Sequence, residues 1–262
     1  MEQRKLPYEV DYSTLKTWRT IKTVLLWLIF IIPIVSPILI QFKEPITCMD
    51  TILTIASYIN FVLMIAYFII DIICEAYLYP ATARNRRKGF FDNSLGTKLL
   101  ESPVQGYYSN DEITNGDKKV LVNCAENCFF TYEIAKAMQP KSIIKNAIFF
   151  IFFLGFAFYG INNSSIAIPV LQLLLSSIFL SELVYLVLFV AKLRNIYEKY
   201  LEAFGNISDE MKTKGNAYFL LLEYETALAY NRAPADSDKI YKKKRESLNT
   251  KWREIKERYG IR

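Results

Sequence analysis

The 262-residue sequence predicts an all-α integral membrane protein. It would have four transmembrane helices per chain, a cytoplasmic helical insert, a helical C-terminal tail, and assembly as a symmetric homo-oligomer. Three observations carry this prediction. Apolar residues, 52% of the chain, gather in four blocks at 23–41, 51–74, 143–160 and 166–191. Each is close to the about 20 residues that cross a hydrocarbon core. Charge lies between and after the blocks, which is why the mean hydropathy is only +0.15. Positive residues also alternate by segment: they crowd the N-terminus, the middle connection and the tail, while the connection after the first block holds only Lys43 and the 161–165 turn none. The positive-inside rule then places both termini and the middle segment in the cytoplasm.

The expected organisation follows in chain order: a cytoplasmic N-terminal segment (1–22), two spans (23–79), a cytoplasmic insert (80–142), two further spans (143–191) and a cytoplasmic helical tail (192–262). Residues 1–22 are polar, and the block behind them lacks a small-residue cleavage site, so it reads as an anchor rather than a signal peptide. Lys16, Arg19 and Lys22 share a helical face and are expected to meet phospholipid headgroups. Pro33 and Pro37 remove backbone donors within the first span and are expected to kink it.

The second span has the most informative pattern. Ser57, Asn60, Met64, Tyr67, Asp71 and Glu75 recur at steps of three and four, so they lie on one face of one helix. An acid at membrane depth requires a protein partner, a water-filled cavity or the interface. The span is expected to end at Tyr79-Pro80, ahead of the basic cluster Arg84, Arg86, Arg87 and Lys88. That cluster either locks the span on its cytoplasmic side and neutralises Asp71 and Glu75, or offers phosphate-matching guanidinium groups to a nucleotide or oligonucleotide.

The insert shows helical patterning around Phe91, Leu95, Leu99 and Leu100, then a Pro, Gly, Asn and Asp-rich loop, then a helix over 120–138 with Val120, Asn123, Asn127, Phe130 and Ile134 on one face. Asn162-Asn163-Ser164-Ser165 forms the turn between the last two spans. Gln172, Ser176, Ser177, Ser181 and Glu182 lie within the fourth, where serines either allow close helix packing or line water. Beyond it the helix continues to about Gly205, Ser208 caps the next one, and a final helix covers about 238–258 with Lys242, Lys243, Lys244 and Arg245 near its start.

Histidine is absent, which excludes His-based triads and His-containing zinc motifs. Cys124 and Cys128 are one turn apart with no second pair to complete a metal set, so they read as small packing residues. No catalytic residue, metal or cofactor is expected.

Two patches carry a family resemblance. Arg84-Asn-Arg-Arg-Lys-Gly-Phe90-Phe91-Asp92-Asn-Ser-Leu95-Gly96 resembles the helix-opening motif of the bacterial SMODS-associated four-transmembrane pore-forming effector family. Asn231-Arg232-Ala-Pro234, followed by Asp238-Lys-Ile240-Tyr241 and Arg245, resembles that family's C-terminal Arg, Pro, Asp-x-x-Tyr and Arg pattern. A Trp-Asn pair expected after Leu99-Leu100 is replaced by residues 102–110, Ser-Pro-Val-Gln-Gly-Tyr-Tyr-Ser-Asn. Membership would imply an anti-phage effector in the bacterial inner membrane, partnered by a nucleotidyltransferase whose nucleotide or DNA-oligomer product controls it. The stripe Ser57, Asn60, Met64, Tyr67 and Asp71, or the face with Gln172, Ser176 and Glu182, would then line an oligomeric pore. Arg84, Arg86, Arg87, Lys88, Lys242, Lys243, Lys244 and Arg245 would bind the signal. A membrane scaffold and a lipid-acting enzyme using Asp71, Glu75 and Glu182 are the competing expectations.

Overall fold

The structure, a computed structural model, describes residues 7–40, 49–104, 106–161, 178–207, 209–231 and 237–261. The molecule is 85% helical, with no strand among the described residues. The elements are α1 (Glu9–Ile40), α2 (Met49–Ile72), a π-helical segment (Ile73–Leu78), α3 (Tyr79–Leu95), α4 (Asp117–Ile161), α5 (Ile178–Phe204), α6 (Glu210–Asn231) and α7 (Ser237–Arg258). They divide into two compact units.

The first unit comprises Met1–Val10, Thr82–Pro140 and Val184–Arg262. Its centre is the N-terminal half of α4, where every residue from Lys119 to Glu126 is buried. A helix covered on all sides has no polar face to advertise it. Around it α5 presents Leu186, Phe189, Leu193, Ile196 and Tyr200 at steps of three and four, α6 presents Ala217, Leu220, Leu221 and Tyr224, and α7 presents Leu248 and Trp252. Trp252 stacks on Phe129 at 5.9 Å between ring centroids, an arrangement that adds to burial alone.

Local signals close the helix ends of this unit. Gly96 adopts φ +72°, the left-handed conformation that ends α3, and its N–H bonds to the carbonyl of Asp92. The Asp92 carboxylate accepts from the N–H groups of Leu99 and Leu100 at 2.7 and 2.9 Å and from the Thr97 hydroxyl. Desolvation opposes its charge, but these donors outweigh it and hold the carboxyl below its ordinary range. At the start of α6 the cap is Asp209, whose Oδ1 accepts from the Lys212 N–H; Ser208, the expected cap, lies outside the described residues.

The second unit comprises Asp11–Ala81 and Lys141–Leu183. The helical backbone of α1 is unbroken across Pro33 and Pro37. Leu26 of α1 and Tyr67 of α2 pack together with Leu25 and Ile29. Thr51–Leu95 is a continuous helical stretch long and apolar enough to cross a membrane, and only 11% of its most apolar section is buried. Ile52, Ile55, Phe61, Val62, Phe68 and Ile72 are exposed along it. A core helix of a water-soluble protein would bury these side chains.

The helical backbone does not break at the proline expected to end the second span. The helix does not stop at Tyr79-Pro80; α2 passes through the π-helical segment into α3. Proline has no N–H to give and its ring crowds the carbonyl four residues back. Here the turn just before it widens, so that the Tyr79 N–H reaches the carbonyl of Cys74, five residues away. The expected insert helix and third span are likewise one helix, α4, with Pro140 inside it.

Candidate functional site

In the second unit, α1 and the end of α2 carry a cluster of four charged side chains. Arg19 and Lys22 are three residues apart, so both sit on one face of α1; Asp71 and Glu75, four apart, do the same across the start of the π-helical segment. Arg19 donates to Glu75 Oε2 at 3.1 Å, and Lys22 donates to Asp71 Oδ1 at 2.9 Å and Glu75 Oε1 at 3.2 Å. The Arg19 guanidinium also lies 5.2 Å from the Tyr79 ring centroid. The side chains of Arg19 and Glu75 are 12% and 8% exposed. Two cations meet two anions, so the cluster carries no net charge into its low-dielectric surroundings.

This arrangement changes two expectations. The acids at the end of α2 find counter-charges on α1, and two of the three basic residues assigned to headgroups are held by protein carboxylates. Partners 49 and 56 residues apart are joined only when α1 and α2 lie side by side, so no local pattern reveals them.

The stripe on α2 alternates in exposure along its length. Asn60 and Tyr67 are buried, whereas Ser57 and Met64 are exposed. The Ser57 hydroxyl donates back to the carbonyl of Leu53 in its own helix. Asn60 Oδ1 has no hydrogen-bond partner among the described residues. Gln172, Ser176, Ser177 and the 162–165 turn lie outside the described residues; Ser181 and Glu182 fall within α5, but their side chains lie outside the description.

The basic residues belong to the first unit. Arg86 donates to both carboxylate oxygens of Glu225 on α6, at 2.8 and 2.6 Å, and Arg87 reaches the same group at 3.5 Å. Arg86 therefore ties α3 to α6, with its side chain only 16% exposed. Arg84 and Arg87 are exposed and Lys88 half-buried; on α7, Lys242, Lys243 and Arg245 are exposed and Lys244 half-buried.

A second polar centre, absent from the sequence reading, surrounds Glu126 in the buried half of α4. Its carboxylate accepts from the Ser109 hydroxyl at 3.2 Å and the Asn110 amide at 2.7 Å. Asn110 also donates to Asn123, which in turn donates to Asn93 and Ser94 of α3. Lys256 of α7 holds the same loop through the Ser109 carbonyl at 2.6 Å and Glu112 at 2.9 Å. Burial pushes the Glu126 carboxyl up to about 7, against the donors that favour its charge. Asn110 thus anchors the loop between α3 and α4.

Cys124 and Cys128 are buried free thiols. Burial raises Cys124 to about 12 and Cys128 well above its ordinary range, which keeps both as neutral thiols near neutral pH. No group of three or more potential metal ligands occurs among the described residues. No family model, curated protein or solved structure matches this chain.

Proposed function

We propose that this protein is a membrane effector. Its apolar unit would form an ion-conducting pore with further copies, and its soluble-type helical unit would receive a nucleotide or oligonucleotide signal. The observation that carries the membrane part is α2, whose large apolar side chains face outward along a helix long enough to span hydrocarbon. The four-span topology, the cytoplasmic termini, the inner-membrane location, the homo-oligomer, the nucleotidyltransferase partner and the anti-phage role rest on the charge pattern and the family resemblance.

In this reading Asp71, together with the Gln172, Ser176 and Glu182 face, supplies polar groups to the pore, and rings of acid would favour cations. Opening would collapse the membrane potential and arrest growth. The neutral cluster of Arg19, Lys22, Asp71 and Glu75 lets the acidic end of α2 rest beside α1, and exchange of those partners would accompany a change of state. Arg84, Arg87, Lys242, Lys243 and Arg245 are the exposed phosphate-binding candidates, whereas Arg86 is committed to Glu225. A scaffold role is the second reading, favoured by Asn60 and Tyr67, which turn inward to pack. A lipid-acting enzyme is disfavoured because both interfacial carboxylates already pair with cations.

Reconstitution into planar bilayers tests the proposal. Conductance is expected from the full chain, with cation preference reduced in the Asp71→Asn/Glu182→Gln variant. An electrically silent bilayer with and without an oligonucleotide would favour the scaffold, and unchanged selectivity would remove both acids from the path.

A further inference from the structure

The α6 helix is apolar on two sides. One side enters the core of its unit. The other carries Met211, Gly215, Phe219, Leu222, Thr226 and Tyr230, at steps of four, four, three, four and four. Those spacings make a single stripe about 28 Å long, from the 1.5 Å rise per residue. All six residues are exposed and none is charged; Met211, Leu222 and Tyr230 are 86%, 67% and 79% exposed. An uncharged, unbroken seam on an otherwise polar helical surface marks an interaction site.

The flanks indicate what covers it. On each side of the stripe a lysine lies toward the N-terminal half, Lys212 on one and Lys214 on the other, and a glutamate lies toward the C-terminal half, Glu223 and Glu225 respectively. Lys192 donates to one oxygen of Glu223 at 2.8 Å, and Arg86 and Arg87 engage Glu225; Lys212 lies 3.5 Å from Asp209. A carboxylate has capacity for further donors. A second α6 laid antiparallel brings each lysine beside a glutamate, whereas a parallel one brings like charges together. With the two-fold axis near Phe219, the antiparallel arrangement also sets Gly215 of one copy against Leu222 of the other. A side chain could enter there, because nothing lies within 4 Å of a Cβ placed on Gly215.

We propose that the exposed stripe of α6 is a homotypic docking surface, which pairs antiparallel with α6 of a second copy of this chain about a two-fold axis near Phe219. This contact belongs to the helical unit outside the membrane segment. It goes beyond the pore reading and holds whether or not the apolar unit conducts. An isologous contact of this kind uses one patch on both partners, so Lys199, whose ammonium lies 5.8 Å from the Phe219 ring centroid, would frame the axis from both copies.

Disulfide trapping of the full chain in detergent or lipid, in a Cys48→Ser background, tests the register. Phe219→Cys, beside the axis, is expected to self-link into a dimer in high yield. Tyr230→Cys is expected not to self-link, since its two copies would lie on the order of 30 Å apart at 1.5 Å per residue. Adding Leu222→Glu to Phe219→Cys should reduce that yield at least tenfold while leaving the circular dichroism unchanged, because Leu222 makes little contact with its own unit. Self-linking at Tyr230→Cys as strong as at Phe219→Cys would overturn the antiparallel arrangement. No dimer from Phe219→Cys would overturn the docking surface itself, leaving the stripe to a membrane or an unrelated protein. Bilayer conductance has no part in either readout, so failure here and failure of the pore reading are separable.

Discussion

Glu126 is the residue at which local environment and chemistry diverge most. A glutamate in the first half of a helix looks like ordinary surface charge, yet α4 is enclosed there and the carboxyl is 7% exposed. Its folded value of about 7 lies above the ordinary 4.5, so between those pH values the native state binds more protons than the unfolded chain. Stability is therefore full below about 4.5 and falls as pH rises through 7. Glu126→Gln keeps one oxygen to accept from Asn110, turns the other into an amide nitrogen that can donate to the Ser109 hydroxyl, and removes the titration. Thermal unfolding of the variant is expected to lose this pH-dependent decline, gaining roughly 3 kcal/mol over the wild type at pH 8 and little at pH 4.5. Parallel pH profiles for the two proteins would contradict the assignment.

At the scale of elements, the α1 and α2 contact combines apolar packing of Leu26 and Tyr67 with the four-charge cluster. Removing one member leaves a buried charge unmatched, which costs more than the pair itself contributes. Arg19→Met and Glu75→Gln are each expected to destabilise the detergent-solubilised protein by about 3 kcal/mol or more, and the double variant by clearly less than their sum. Strictly additive losses would show that the two side chains are energetically independent. The same logic separates Arg86 from its neighbours: Arg86 ties α3 to α6 through Glu225, whereas Arg84 can change without breaking that contact. The run of basic residues in the sequence contains both kinds, and composition does not distinguish them.

For the whole molecule the decisive question is what covers α2. Phe61 and Phe68 are 62% and 58% exposed, and their surroundings are either water or hydrocarbon. Phe61→Lys and Phe68→Lys distinguish the two. In water such exposed changes shift stability by about 0.5 kcal/mol or less; at bilayer depth each costs about 2.5–3.5 kcal/mol. The wild type is expected to stay with membranes after alkaline carbonate extraction and the double lysine variant to be released or degraded. Equal extraction of both would count against a membrane-embedded α2.

The helical patterning expected around Leu99 and Leu100 stops at Leu95, where Gly96 turns left-handed. The helical class, the long apolar second helix, the break near Gly205 and the packing role of the paired cysteines were legible in the sequence. Each rests on periodicity, turn chemistry or residue type within a few positions. The proline at 80 misled, because a proline's local preference to end a helix is weaker than the packing that carries α3 past it. The sequence by itself also determined that the second apolar segment ends in acid, which calls for a protein partner, a water-filled cavity or the interface. Only the tertiary structure decided that the partner is the pair Arg19 and Lys22, that Glu126 is enclosed, that Arg86 is committed to Glu225, and that α6 keeps a second apolar side in the open. These depend on which helix faces lie side by side, and residues up to 147 positions apart meet there.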